Sequence, residues 1–346
     1  MEFRALDIGF ELIGIINPVI VQWNRKYHEC GDYAITMPKK QYTNNIKYIS
    51  CDERKEVGIV NKTTVKNDGT VEIQGYFLEK VLDNAIIYPT FYGSGEITAV
   101  LKTMIEKYQV EIDDLWRLYD ITTLCIGSKI DFQATGDELG MKLYEILKTQ
   151  EMSYRVTYNY EEQHIYLEFY KGEDKTQASE NKAYTTFSSE WGNIENPIVY
   201  VDDSNYKNYA VVAGSGEGAE RINIIVDIRS SSHEGIKKLF VDDRNTTFNN
   251  KEQTLEQYKL ELNQNGLEKL EDYKRIVNID FNVIGDTFKY LTDYDLGTKC
   301  DVIINDIELA VEARIIAVYE VFKEGKHTIE LEIGDKIITE YEKLRK

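Results

Sequence analysis

The stretch VEARIIAVYEVFKEGKHTIELEI, residues 311–333, decides the class of fold. In its second half Thr328, Glu330 and Glu332 alternate with Ile329, Leu331 and Ile333. A period of two sends successive side chains to opposite faces, so this half reads as a strand with one wet and one packed face. Val311 to Phe322 pairs with it across the turn Lys323-Glu324-Gly325-Lys326. Residues 278–346 are therefore expected to form a small antiparallel barrel or sandwich.

Working back from there, the period lengthens. Leu255, Tyr258, Leu262, Gly266, Leu270 and Tyr273 stay in phase as one stripe of a helix over roughly 253–274. Gly266 falls on the buried face, where the missing side chain permits close approach. Ahead of it Ile198–Val201, Tyr209–Val212 and Ile222–Ile228 read as strands. Two strands near 153–159 and 164–170 join through Glu161-Glu162-Gln163. Thr135-Gly136-Asp137-Glu138 has the pattern of a capping box before Leu139, Leu143, Ile146 and Leu147. Ile97, Val100, Leu101, Met104, Ile105 and Tyr108 mark another helix, with Ser94 and Gly95 where a cap belongs. The first ninety residues are mainly strand. Val71, Ile73 and Gly75 alternate with Glu72 and Gln74 after the turn Asn67-Asp68-Gly69, and 10–23 and 57–60 look alike.

A chain of 346 residues calls for two to four domains, and 42% hydrophobic with 12% aromatic residues can fill their cores. The expected class is α+β and multidomain: a β block over 1–90, an α+β insertion over 91–185, a second β block made of 186–232 with 278–346, and a helical insertion over 233–277. Twenty-five tyrosines suit half-wet strands or broad protein contacts, although codon bias in a low-GC genome would also supply them. A net charge of −19 repels phosphate backbones and argues against specific nucleic-acid binding. Cys30, Cys51, Cys125 and Cys300 are scattered, which points to free thiols and a reducing assembly site. Glu2, Arg4, Asp7 and Glu11 do not make a secretion signal. The apolar run Leu12–Val21 is too short to cross a membrane and holds Asn17 and Pro18.

Chemistry is harder to find. Gly214-Ser215-Gly216-Glu217-Gly218-Ala219-Glu220-Arg221 could cradle a phosphate, but two acids stand where the anion would sit and a strand follows. A hairpin loop is the better reading. Asp202-Asp203, Asp242-Asp243 and Glu161-Glu162 are adjacent pairs, which point to opposite faces of a strand and do not make a catalytic pair. His28, His164, His233 and His327 lack metal-ligand spacing, and no nucleophile has a recognisable context. His164 and His327 read as surface strand residues; Trp23, Trp116 and Trp191 read as core anchors. The end from Lys336 to Lys346, mixed with Glu340 and Glu342, reads as a solvated terminus. No catalytic, cofactor-binding or metal-ligating residue is assigned, and no cofactor is expected.

An ordered series of short motifs nevertheless resembles one family, the siphovirus tail-hub proteins of the Gp37-like kind. Trp23-Asn24-Arg25-Lys26-Tyr27 leading to Gly31-Asp32-Tyr33 is similar to its opening W-x-R-x-Y … G-D-F/Y. Gly58-Ile59-Val60, Asp68-Gly69 and Ile73-Gln74-Gly75 fit the next hairpin. Gly172 to Thr176, then Phe187-Ser188 with Trp191-Gly192-Asn193, resemble the steps that follow. Tyr209 to Gly218 with Arg221, Phe240-Val241-Asp242 with Asp243-Arg244, and Asp295-Leu296-Gly297 complete the series. Lys237-Lys238-Leu239 departs from an expected R-R-E, and the Arg expected near Asn84 is missing.

The resemblance implies two β-barrel-like hub domains with two smaller α/β insertions. It implies a homotrimer that presents six similar barrels to the tail tube and frames the DNA exit channel at the virion tail tip, after assembly in the bacterial cytoplasm. The implied partners are the distal tail protein, the tape measure protein and tail fibre or spike proteins, with no membrane insertion. A tailocin or secretion-system hub would look the same. Two other classes stay open: a tail-associated cell-wall or polysaccharide hydrolase, and a host-receptor-binding module.

Overall fold

The computed structural model describes residues 1–108, 120–122, 128–180, 183–249 and 253–334. Trp116, Cys125 and the end from Lys336 to Lys346 lie outside the described residues. The N-terminal block holds β1 (Phe3–Leu6), β2 (Leu12–Ile16), β3 (Ile20–Lys26), β4 (Asp32–Pro38), β5 (Tyr48–Cys51), β6 (Val57–Ile59), β7 (Lys62–Val65) and β8 (Thr70–Tyr76). Strict alternation buries Tyr33, Ile35 and Met37 on β4 and Val71, Ile73 and Gly75 on β8. These rows, with Trp23, pack on Phe3 and Ile49 of a separate sheet ordered β2-β1-β5-β6. The β7–β8 hairpin turns at Gly69, whose φ of +84° suits glycine, and Asp68 Oδ1 accepts from the Thr70 N–H at 2.9 Å.

The next stretch contains β9 (Phe91–Glu96), α1 (Ile97–Tyr108), β10 (Asp120–Thr122), β11 (Lys129–Ala134), α2 (Leu139–Lys148), β12 (Ser153–Asn159) and β13 (His164–Tyr170). The apolar stripe of α1 is buried as its spacing predicts. Its cap is different. Ser94 and Gly95 belong to β9, paired with β11, and Glu96 takes over the start of the helix by accepting from the Ala99 N–H at 2.9 Å. The capping box expected at 135–138 does not form either: Glu138 is the N-cap and makes no side-chain capping bond. Backbone bonds from Gly136 to Ile87, from Ile87 to Asp137 and from Leu139 to Ala85 fix this entry instead.

The last part holds β14 (Thr186–Ser188), β15 (Ile194–Asp202), β16 (Tyr209–Ala213), β17 (Asn223–Asp227), β18 (Lys238–Asp242), α3 (Leu255–Glu271), β19 (Ile276–Val283), β20 (Lys299–Ile304), β21 (Leu309–Lys323) and β22 (Lys326–Gly334). The hairpin read from 311–333 is β21–β22, turning at Glu324 and Gly325 with positive φ. On its other side, however, β21 pairs with β3, and one ten-stranded sheet runs β15-β19-β22-β21-β3-β4-β8-β7, with β20 and β14 attached beside β21. The chain is thus mostly β-sheet with few helices. The two blocks expected as barrel-like domains share this open sheet, and no sheet closes on itself among the described residues.

Strands 209–227 also depart from the expected grouping. β16 sits between β17 and β18 in a small sheet that covers α3, so these strands join the helix and leave the second β block. The reason is local: Ala210, Val212 and Val226 meet Tyr258, Leu262 and Leu270 in one core. A Cβ on Gly266 would lie 2.7 Å from both Val212 and Val226, so the close approach read from the stripe is real. The ends of that stripe, Leu255 and Tyr273, remain exposed. A capping box does exist on this helix, between Thr254 and Gln257.

Candidate functional site

The densest polar chemistry lies where β3 meets β21. Antiparallel register sets Trp23 opposite Glu320 and Arg25 opposite Val318, which puts Arg25 and Glu320 on one buried face. Arg25 donates to Glu56 Oε1 at 2.7 Å, to the Tyr290 hydroxyl at 2.6 Å and to Asp295 Oδ1 at 2.5 Å. Burial opposes its charge, yet Glu56, Tyr290 and Asp295 together raise its pKa. Arg54 grips Glu320 through Nε, at 2.8 Å, and Nη2, and lies over the Tyr290 ring at 5.0 Å. His327 Nε2 stands 2.9 Å from Glu320 and its ring stacks on Phe322. Burial disfavours the Glu320 carboxylate, but hydrogen bonds from Arg54 and His327 win and hold its pKa below the ordinary value. His327 is exposed on β22, as its surface reading expects, and still takes part in this joint.

The motif series turns out to be a set of such joints. Arg25 of the opening motif reaches Asp295 of the last one. Tyr27 donates from its hydroxyl to the Glu151 carbonyl at 3.1 Å and accepts from the Gly172 N–H at 3.2 Å. A Cβ on Gly172 would stand 1.8 Å from the Gly297 carbonyl oxygen, and one on Gly297 would stand 2.4 Å from Tyr27. Gly58 lies under the Tyr33 ring and Gly75 under the Ile59 carbonyl in the same way. Asn193 holds its own turn, accepting from the Ser188 N–H and donating to the Thr186 carbonyl. Trp23 is a core anchor, while Trp191 is 49% exposed and is not.

The glycine-rich segment 214–221 is a loop between β16 and β17, as the hairpin reading requires. Its groups are spent internally. The Ser215 N–H donates to the Tyr258 hydroxyl at 2.7 Å, and Arg221 donates to the carbonyls of Gly214 at 2.8 Å and Ala213 at 2.6 Å and also binds Asp242. The adjacent acids diverge: Asp242 serves Arg221 and Arg244, while Asp243 serves Thr246 and Asn265. Cys30, Cys51 and Cys300 are free thiols, and burial pushes Cys51 up to about 11 and the other two higher. Among the described residues no group of three His, Cys, Asp or Glu side chains could hold a metal, and no helix is long and apolar enough to cross a membrane.

Sequence reasoning did not single out the buried carboxylates, two of which are lifted furthest toward neutrality. Glu79 accepts from the Val156 N–H at 2.9 Å and burial lifts its pKa to about 7. Glu261, on α3, is also lifted to about 7, first by burial. Neither has a pattern of its own in the sequence; Glu261 is simply the residue before a stripe position.

The family model for Siphovirus ReqiPepy6 Gp37-like protein matches residues 2–335. The chain belongs to this family. Three solved tail proteins are similar to this Gp37-like protein over nearly their whole length. The prophage MuSo2 43 kDa tail protein from Shewanella oneidensis superposes with a TM-score of 0.59 at 13% identity, covering 96% of this chain and 98% of that one. The prophage tail protein gp18 from Listeria monocytogenes gives 0.58 at 11% identity, covering 97% and 95%. The tail protein from Neisseria meningitidis MC58 gives 0.56 at 11% identity, covering 98% of each. At these identities the likeness is one of fold, and the fold of this Gp37-like protein is that of phage tail proteins. No curated protein matches its sequence.

Proposed function

We propose that this phage-tail protein is a structural hub of the tail tip, joining the tail tube to the tip and framing the DNA exit channel. The family match across residues 2–335 carries the reading. In this reading 1–90 and 186–202 with 276–334 supply the ring wall, while 91–185 and 203–275 decorate it. Three copies close the ring, which then meets the distal tail protein, the tape measure protein and the fibres or spike. Two edge strands support assembly of this kind. β2, at the edge of its sheet, exposes Leu12, Ile13 and Ile15, and β15, at the edge of the ten-stranded sheet, exposes Ile198, Tyr200 and Val201. Apolar open edges are templates for pairing with another chain. The net charge of −19 suits a lumen that DNA passes without adhering.

The test is antibody labelling of intact tails, viewed by electron microscopy. Label at the tail end, in fixed stoichiometry with other tail proteins, is the expected result. Tails that never carry label, with the protein free in the lysate, would overturn the hub role and bring cell-wall zymography forward.

A further inference from the structure

A cavity of about 260 Å³ lies between β9, β11 and α3. That is below the roughly 300–1,000 Å³ of a pocket for a drug-sized ligand, and suits a side-chain head group. Glu261 lines it, is 2% exposed, and has a buried Oε1 with no hydrogen-bond partner among the described residues. Asp131 lines the opposite wall on β11, with one oxygen 3.0 Å from the Ser94 hydroxyl. Tyr92 and Phe132 supply aromatic walls, and no Lys or Arg is among the described lining residues. The site is thus lined by two carboxyl groups and aromatic rings, with one buried carboxyl oxygen left without a donor among the described residues.

The Gln253 side chain meets the Glu261 carboxyl group on one side, and the remaining buried oxygen is unfavourable unless a further donor meets it. A divalent metal needs more oxygen ligands than two carboxylates supply, and no three-ligand group exists among the described residues. A planar guanidinium fits better: it forks onto a carboxylate and stacks on aromatic faces, which a compact ammonium does less well. The overall charge of −19 also draws basic partners. We propose that this cavity receives the guanidinium of an arginine side chain presented by another protein, with Glu261 and Asp131 as acceptors and Tyr92 and Phe132 as stacking walls. The site stands apart from the β3–β21 joint and does not depend on the hub reading.

The experiment is calorimetric titration of the full chain with acetyl-arginine-amide, with acetyl-citrulline-amide as the uncharged counterpart. The expected result is roughly millimolar affinity for the arginine compound and none for citrulline. Glu261→Gln should weaken binding about tenfold or more and Asp131→Asn several-fold, while Glu324→Gln in the exposed β21–β22 turn changes nothing. Circular dichroism melts establish that each variant is folded. Equal binding of citrulline, equal binding to folded Glu261→Gln, or no binding at about 50 mM arginine compound would overturn the proposal. Calcium binding that needs Glu261, without arginine binding, would overturn it as well.

Discussion

The β3–β21 joint and the small sheet over α3 solve the same packing problem in opposite ways. At the joint even charges are submerged: Arg25, Arg54 and Glu320 are nearly without solvent exposure, and each is paired. The small sheet buries only one face. Ala210, Val212 and Val226 turn toward α3, while Ile225 and Phe240 on the other face are 58% and 62% exposed. At the joint the buried charges have all their partners within the chain. A sheet with a row of apolar side chains in water has a face left for contact. The first is an internal joint of the fold, and the second leaves an apolar row in water.

The largest expected effect tests the first half of this contrast. Arg25→Ala strands Glu56 in the interior and should cost about 3–5 kcal/mol in urea denaturation. A loss below about 1 kcal/mol would mean that the joint is solvated and the contrast false. Leu262→Ala should cost about 2–5 kcal/mol, with faster amide exchange confined to 209–271. Uniform acceleration over the ten-stranded sheet would show that the two regions unfold as one.

The joint also has a pH signature with two opposed parts. Glu79, beside Arg25 and Glu56, has its pKa raised by burial from 4.5 to about 7. Its contribution is full below about 4.5 and is lost as pH rises through about 7. Glu320 has its pKa depressed, so its contribution is present above the ordinary carboxylate value and is lost as pH falls through the depressed one. Glu79→Gln should therefore flatten the fall in stability between pH 4.5 and about 7 by up to about 3 kcal/mol. Denaturation midpoints across that range, unchanged by the substitution, would remove Glu79 from the account. The smallest effect on the isolated chain is at the outer face. Ile225→Ser with Phe240→Ser should change stability by no more than about 0.5 kcal/mol but reduce co-purification with assembled tails. Undiminished incorporation would make that face inert.

Elements held by their own periodicity were legible in the sequence. The stripe of α1, the hairpin β12–β13, the β21–β22 hairpin and the close approach at Gly266 all follow from spacing alone. Caps were less legible, because Glu96 and the backbone at 85–87 supplied what Ser94 and Thr135 were expected to supply. The pairing of β3 with β21 and of β16 with β18 had no local signal, since strand edges carry no address in sequence. The same limit hid the polar sites. Arg25 was quoted as a motif residue, but its partners Glu56, Tyr290 and Asp295 come together only through the sheet. Glu261 looked like any solvent-facing helix residue until β11 covered it.

The place of β3 in the middle of the ten-stranded sheet has a consequence for synthesis. Lys26 pairs with Ala317, so the ribosome delivers the second strand about 290 residues after the first. At about 5–20 residues per second that interval is roughly 15–60 s. During it one edge of β3, with Trp23 and Arg25, has no partner strand. Until then that edge is an open template for pairing, and translation cut short before residue 317 should yield an aggregating fragment.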